Sequence, residues 1–358
     1  MRVAIVAPPF IPVPPVRYGG TELFIAELAS GLKAEGVDVV LYTNGESTLD
    51  VEKRWTYKKA QWPVMGEVYD NLKDVYHTAW SVRDAFQDCD VIHLNNVPGL
   101  VHSMFPGAPP FVYTMHHEHD EKLSDFYAQV TNVQFVTISE FQRRQEKLPR
   151  IRTIHHGVDP RMFTLNMGKR DHLSFLGRIA PVKGTHLAIE VAKRSGIPLK
   201  IAGEVQPLFK DYFESAIKPH IDGKFIEYVG EADMAAKNDL LGGSIAMLFP
   251  IQWNEPFGLV MIESMMCGTP VLALPGGAVD EVVHDGVSGF VCKDTDVLVE
   301  RVTDASSLSS ASVRKYAEKY FSTGRMVDEY LTLYREITGR ELKASAAADD
   351  NDKPRFVA

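Results

Sequence analysis

The sequence predicts an α/β protein made of two doubly wound parallel sheets with a cleft between them. Three observations carry this expectation. The 358-residue chain has room for two domains of about 150 to 180 residues, each large enough for its own core. Short apolar runs alternate with helix-period stretches in both halves, the pattern of buried parallel strands joined by crossover helices. The residues able to do chemistry fall just after those runs, where open α/β sheets gather their ligands.

Composition narrows the class. Hydrophobic residues make up 45% and charged residues 24% of the chain, ordinary values for a soluble globular enzyme. A net charge of -9 argues against nucleic acid as a partner. No apolar run reaches membrane-spanning length, and the N-terminus reads as a strand rather than a signal peptide. The three cysteines, Cys89, Cys267 and Cys292, lack metal-site spacing and fit a reducing cytoplasm, the expected location. Only residues 344–358, with the run ASAAADDND, have a disordered composition.

In the first half, residues 2–7 (RVAIVA) read as a buried strand. A proline-stiffened loop follows and ends in Gly19-Gly20. Next come a helix over residues 22–35, stopped by Gly36, and a strand over residues 37–43. This is a nucleotide-type βαβ unit without the GxGxxG fingerprint, so the glycine pair reads either as a tight turn or as a phosphate approach. Residues 53–62 (KRWTYKKAQW) mix four cations with three aromatics. They read as a solvated face, or else as a lid with at most peripheral membrane contact. Strands at 91–94 and 111–115 end in Asn95-Asn96 and His116, which should face the cleft. Adjacent residues cannot easily aim at one ion, so His116-His117-Glu118-His119 is not read as a metal site. His93 lies mid-strand and reads as packed. Two DxD triplets are discounted: Asp88-Cys89-Asp90 precedes a strand, away from the cleft, and Asp294-Thr295-Asp296 resembles a helix cap. Ser139 reads as an N-cap after the strand at 134–138. Another strand at 151–154 leads into His155-His156-Gly157-Val158-Asp159-Pro160, a turn and hinge.

In the second half, a strand at 173–176 leads into GRIAPVKG and a helix through residue 194. Arg178 and Lys183 flank the turn and can neutralise a diphosphate. Strands at 199–202 and 225–229 end in Gly203-Glu204 and Gly230-Glu231. A strand at 244–249 then runs into FPIQWNEPFGLVMIESMMCG, with Glu255 in the loop and Glu263 in the helix that opens near Gly258. The amides of Phe257, Gly258, Leu259 and Val260 have no intrahelical partner and suit an anion. A nucleotide sugar offers matching groups: a diphosphate for the amides, ribose hydroxyls for one acid and a sugar ring for the other. The same spacing also fits a plain strand-loop-helix with two solvated acids. A strand at 270–274 follows, then Glu281 as a helix-start acid, and helices over 311–320 and 325–338.

Glu255 and Glu263 around Pro-Phe-Gly-Leu, with Gly19-Gly20-Thr21, His116 and Arg178/Lys183 in the same order, resemble the retaining family-4 glycosyltransferases of GT-B fold (glycosyl transferase group 1). The run PPVRYGGTE is similar to a large bacterial branch of that family. The resemblance implies a Rossmann-like acceptor-side domain over residues 1–157 and a donor-side domain over 158–322. A crossover helix over 325–340 would pack back on the first. It implies transfer of a hexose-type sugar from a UDP- or GDP-linked donor with no cofactor or metal, and because no carboxylate is placed as a nucleophile the mechanism reads as front-face attack. His116 would contact the sugar, Arg178 and Lys183 the diphosphate, and Glu255 with the nearby amides the donor sugar. Glu263 would hold the ribose, Gly19 and Gly20 would approach the phosphate, and Gly203 and Val229 would floor the base. Arg17, Tyr18 and Asn95 would lie on the acceptor side, the acceptor being a sugar, a lipid-linked molecule or a small molecule. Asp280 stands where the family usually has proline, which implies a different local turn. The alternatives are a GT-B-like epimerase or phosphorylase, or a non-catalytic nucleotide-sugar-binding protein.

Overall fold

Seven short strands build the first sheet: β1 (Arg2–Val6), β2 (Asp38–Thr43), β3 (Glu52–Trp55), β4 (Val91–Leu94), β5 (Phe111–Met115), β6 (Val133–Thr137) and β7 (Ile151–Thr153). In the computed structural model, which describes residues 1–17, 19–64 and 68–340, they lie in the order β3-β2-β1-β4-β5-β6-β7. Six more build the second: β8 (His172–Leu176), β9 (Leu199–Ala202), β10 (Ile226–Gly230), β11 (Ser244–Phe249), β12 (Val271–Ala273) and β13 (Gly289–Val291). Their order is β10-β9-β8-β11-β12-β13. Neighbouring strands pair in parallel throughout both sheets. Tyr18 and the 344–358 tail lie outside the described residues.

The apolar runs explain the layering. Along β1, Val3 and Ile5 pack with Phe24, Leu28 and Leu32 on one face, while Ala4 and Val6 pack with Val82 and Phe111 on the other. Successive side chains of a strand point to opposite faces, so only a strand covered on both sides can be apolar at every position. The second sheet repeats the rule. Met247 and Phe249 of β11 enter one core, and Ala246 and Leu248 enter the opposite one.

Two passes of chain join the domains. The amide of Val158 donates to the Phe321 carbonyl at 3.0 Å, and that of Thr323 to the Val158 carbonyl at 3.1 Å. The guanidinium of Arg325 donates to the carbonyls of His155 and His156. Beyond Ser322 the helix Thr323–Thr338 buries Met326, Tyr330 and Tyr334 in the core of the first domain.

Residues 53–62 prove more structural than a solvated face. Part of the segment is the edge strand β3, and Arg54 is tied to Glu52, Asp84 and Asp88. The helix Val68–Ala85, unread in the sequence, covers the sheet beside it. Asp88 and Asp90 join a network with Arg2, Arg54 and Arg340 at the start of the strands. Asp294 and Ser139 cap helices, accepting from the amides of Val297 and Gln142. His93 is buried between the hydroxyls of Tyr334 and Thr114. Among the described residues, no helix is long and apolar enough to cross a membrane.

Candidate active site

In both sheets the strand order turns around beside the first strand, between β1 and β4 and between β8 and β11. A crevice opens there at the carboxyl ends of the strands, and the two crevices face each other. Two adjoining cavities of about 170 and 240 Å³ fill the space between them and share Gly20, Leu176, Gly177, Leu259 and Val260.

The helix Leu259–Met266 lies at their junction. Gly258 precedes it at φ 89°, and a Cβ there would come within 2.6 Å of the Met261 methyl. The left-handed backbone therefore requires glycine, and a Cβ would also displace the flexible Met261 methyl. No side chain caps this helix, so its first amides stay open to the cavity lined by Phe257, Gly258, Leu259 and Val260.

The two acids have different surroundings. Glu255 is 8% exposed, and its Oε2 accepts from Lys183 Nζ at 2.5 Å and from Trp253 Nε1 at 3.0 Å. Lys183 Nζ also sits 4.6 Å from the centre of the Trp253 ring. A tight turn presents Lys183. Gly184 follows it at φ 74°, with its Cα hydrogen face against the Pro250 carbonyl. Glu263 is 1% exposed. Its Oε1 accepts from Lys237 Nζ at 2.7 Å, while its Oε2 is buried without a partner among the described residues. Glu263 lines the smaller cavity. A buried, unpaired carboxylate oxygen is costly, and a donor supplied by a ligand would satisfy it.

Arg178 approaches Gln206 at 3.4 Å and stacks over Phe209. Its Nε is buried without a partner among the described residues. Arg178 and Lys183 both line the larger cavity.

Across the cleft, His116 follows β5. The Asn95 amide donates to the Val6 carbonyl at 3.2 Å, which turns its Oδ1 toward His116 Nε2 at 2.9 Å. The acceptor there requires the proton on Nε2, so Nδ1 is the unprotonated, accepting nitrogen. Burial, and secondarily the neighbouring His117, pushes the His116 imidazole down to about 3, so it stays neutral at physiological pH. His156 lies nearly parallel to it, with ring centres 5.5 Å apart. Burial, with His116 beside it, holds His156 well below the usual histidine range as well.

The structure thus brings Gly20, His116, Arg178, Lys183, Glu255 and the helix start together around one cavity, with Gly19, Gly20, Arg17, Gly203 and Glu263 around the other. Arg17 reaches Glu231 of the second domain at 3.4 Å. Asn95 touches His116. The Gly203 amide is committed to the Gly230 carbonyl, and its carbonyl accepts from the Tyr228 hydroxyl. Val229 is 43% exposed and lines neither cavity. There the rim is formed by Glu231, Ala232 and Asp233 instead. His117 and His119 turn away, to Tyr127 and Glu146.

Four residues around the cleft were not singled out by their sequence positions. Lys237 comes from the helix Met234–Gly242 and carries no local signal. His156 reads in the sequence only as part of the hinge. Trp253 stands two residues before Glu255, so in an extended loop both point the same way, a signal that was readable. Glu281 was read as a helix-start acid, but its carboxylate crosses to the first domain. There it accepts from the amides of Glu140 and Phe141 and pairs with His155 at 3.0 Å.

Two family models match the chain in tandem: Glycosyltransferase Family 4 over residues 18–162 and Glycosyl transferases group 1 over residues 162–320. The spore coat protein SA of Bacillus subtilis (strain 168) is 24% identical over a gapped alignment of 389 positions, covering 94% of this chain and 100% of that protein. AviGT4, a glycosyltransferase involved in avilamycin A biosynthesis, superposes with a TM-score of 0.72 at 24% identity, covering 94% of this chain and 98% of that one. HepE of Anabaena, solved with UDP and glucose, superposes with a TM-score of 0.73 at 17% identity, covering 93% and 99%. With one arm of the cleft in each matched region and this fold throughout, the chain belongs to the group 1, family 4 glycosyltransferases of GT-B fold.

Proposed function

We propose that this glycosyltransferase moves a hexose-type sugar from a UDP- or GDP-linked donor to an acceptor hydroxyl with retention of anomeric configuration and without a metal ion. One observation carries the reading. Two cavities meet at an uncapped helix start, one holding the unpaired oxygen of Glu263 and the other holding Arg178, Lys183, Glu255 and His116. A nucleoside diphosphate sugar spans such a pair. Its ribose hydroxyls donate to Glu263, its diphosphate sits at the helix amides between Arg178 and Lys183, and its sugar lies between Glu255 and His116. The solved complex of HepE with UDP and glucose supports a donor of this class.

In the reaction the bond from the sugar's anomeric carbon to the diphosphate oxygen breaks, and its electron pair stays on that oxygen. The acceptor hydroxyl adds from the same face and passes its proton to the departing diphosphate. Arg178, Lys183 and the helix amides stabilise the charge that develops there, an interaction stronger in the transition state than before it. These two side-chain cations supply the charge a metal would otherwise bring. Neutral His116 accepts from a sugar hydroxyl through Nδ1. The three unpaired, buried thiols of Cys89, Cys267 and Cys292 suit action in the cytoplasm.

Thermal stabilisation by UDP, GDP, ADP and dTDP, each with and without EDTA, tests the donor site. One nucleotide should raise the midpoint with or without the chelator. No shift with any of the four would remove the reading, and a shift abolished by EDTA would remove its metal-free part. NMR of the product made from the matching nucleotide sugar then reads the anomer, and inversion would exclude the front-face step.

A further inference from the structure

We propose that Trp253 is the positioning residue that keeps the Glu255 carboxylate aimed at the transferred sugar once the donor has drawn Lys183 away. This inference rests on the donor-site reading given above. Both partners of Glu255 bind the same oxygen: Lys183 Nζ at 2.5 Å and Trp253 Nε1 at 3.0 Å, both on Oε2. The other oxygen is left for a ligand. Lys183 is itself held twice, by this carboxylate and by the face of the Trp253 ring 4.6 Å away.

A diphosphate beside Lys183 carries more negative charge than one carboxylate, so Lys183 turns toward it and its bond to Glu255 weakens. The indole N–H has no charge to be drawn off, and it stays on Oε2. The backbone on either side of it is braced. The Gln252 amide donates to the Val182 carbonyl at 2.8 Å, and the Ala278 amide to the Glu255 carbonyl at 2.9 Å. Gly276 packs so closely under Trp253 that a Cβ there would lie 2.6 Å from the Trp253 carbonyl. The loop therefore holds the indole still while the lysine moves. Three requirements meet in one side chain: a neutral donor, a flat ring for the ammonium, and a fixed place two residues before the acid.

The substitution W253F keeps a ring for Lys183 and removes the donor. Its expected effect is a fall in kcat of about ten- to a hundred-fold, the size of one lost hydrogen bond to a charged group. The Kd of the nucleoside diphosphate should stay within about threefold, because Trp253 acts on the sugar end rather than the diphosphate. A second variant guards against misfolding. Benzothienylalanine installed at position 253 replaces only the N–H by sulfur, keeps the indole shape, and should reproduce the same split. A donor lacking the sugar hydroxyl that Glu255 contacts should lose much less rate in W253F than in the parent enzyme.

A kcat within about twofold of the parent in both variants, or equal losses in kcat and nucleotide affinity, would overturn the role of Trp253. Failure of the donor-site reading looks different: the parent enzyme itself would neither bind a nucleotide nor transfer a sugar. Trp253 emission, taken as the difference between the parent and W253F because the chain has four tryptophans, gives an independent signal. Nucleoside diphosphate should change the emission of the parent as Lys183 leaves the ring, and an unchanged emission would count against the exchange.

Discussion

The two sheets share one winding, yet their strand ends present opposite chemistries. Counting from the first strand of each, both run 3-2-1-4-5-6, with β7 added at the edge of the first sheet. At the switch point of the first stand neutral groups: Asn95, His116 and, at the hinge, His156, with both imidazoles pushed down by burial. At the switch point of the second stand charges: Lys183 on Glu255, Lys237 on Glu263, and Arg178. A shared winding supplies a crevice, and the residues just past each strand decide what it holds. The charged side suits a diphosphate. The neutral side suits hydroxyls, where a fixed charge would be costly to bury.

The largest expected effect tests that division. Removing the cation in Lys183→Ala should lower kcat about a hundred- to a thousand-fold, as loss of one preorganised charge-stabilising group does. Releasing His116 from its tether in Asn95→Ala should lower it only about tenfold. Steady-state rates of both variants with the same donor would break the comparison if the order were reversed.

Glu263→Ala should act on binding and folding together. It removes the buried acceptor offered to the ribose and leaves the Lys237 ammonium without its carboxylate. Nucleoside diphosphate affinity should fall about ten- to a hundred-fold, and urea unfolding should show a loss of about 3 kcal/mol. Unchanged affinity, by calorimetry, would mean that the smaller cavity is not the ribose site.

Acid should weaken the neutral side first. Burial pushes His77 down to about 4 and His93 and His116 to about 3, from an ordinary 6.5, and it lowers His156 as well. Between these values and 6.5 the unfolded chain binds more protons than the native state, so stability present at neutral pH is lost as pH falls. Glu22 and Glu27 act the other way. Burial raises both to about 7, so they favour the native state progressively as pH falls from 7 to 4.5. Four imidazoles outweigh two carboxyls between about pH 6.5 and 5, and the thermal midpoint should drop by several degrees over that interval. Hydrogen exchange at pH 5 should show the first domain opening before the second. A midpoint equal at the two pH values would sink the idea.

The smallest effect concerns the link between the halves. Burial opposes the charge on Glu281, but the bonds from His155 and from the amides of Glu140 and Phe141 hold its carboxyl below the usual range. Glu281→Ala should cost about 1 kcal/mol, the worth of a lost helix cap, and change transfer little. A large loss of kcat would instead mean that this contact sets the angle between the domains.

How much of this was legible depends on how local the physics is. Strand β1 and its helix could be read because a strand covered on both faces must be apolar throughout, and a glycine turn leaves the chain little other choice. The site blocks were equally local. Gly258 before a helix, Lys183 before another and His116 after a strand each declare their place through neighbours within a few residues. Edge strand β3 escapes sequence reading because the short run EKRW carries no apolar pattern, and its arginine is held by Asp84 in a helix and Asp88 in the turn after it, 30 and more residues further on. Val229 belongs to the base floor by resemblance to the family alone, but the strand ends one residue later and the side chain faces outward.

Two wound sheets, the glycine turns that allow close approach, and the two acids eight residues apart at one helix all follow from local patterns in the chain. Which oxygen of each acid is already taken follows from packing alone. Lys237 reaches Glu263 across 26 residues and Lys183 reaches Glu255 across 72, while the Asn95 tether of His116 and the Glu281 bridge join separate strands and separate domains. Such contacts leave no periodic trace, because a hydrogen bond depends on distance and angle in space. Those arise only when distant segments pack.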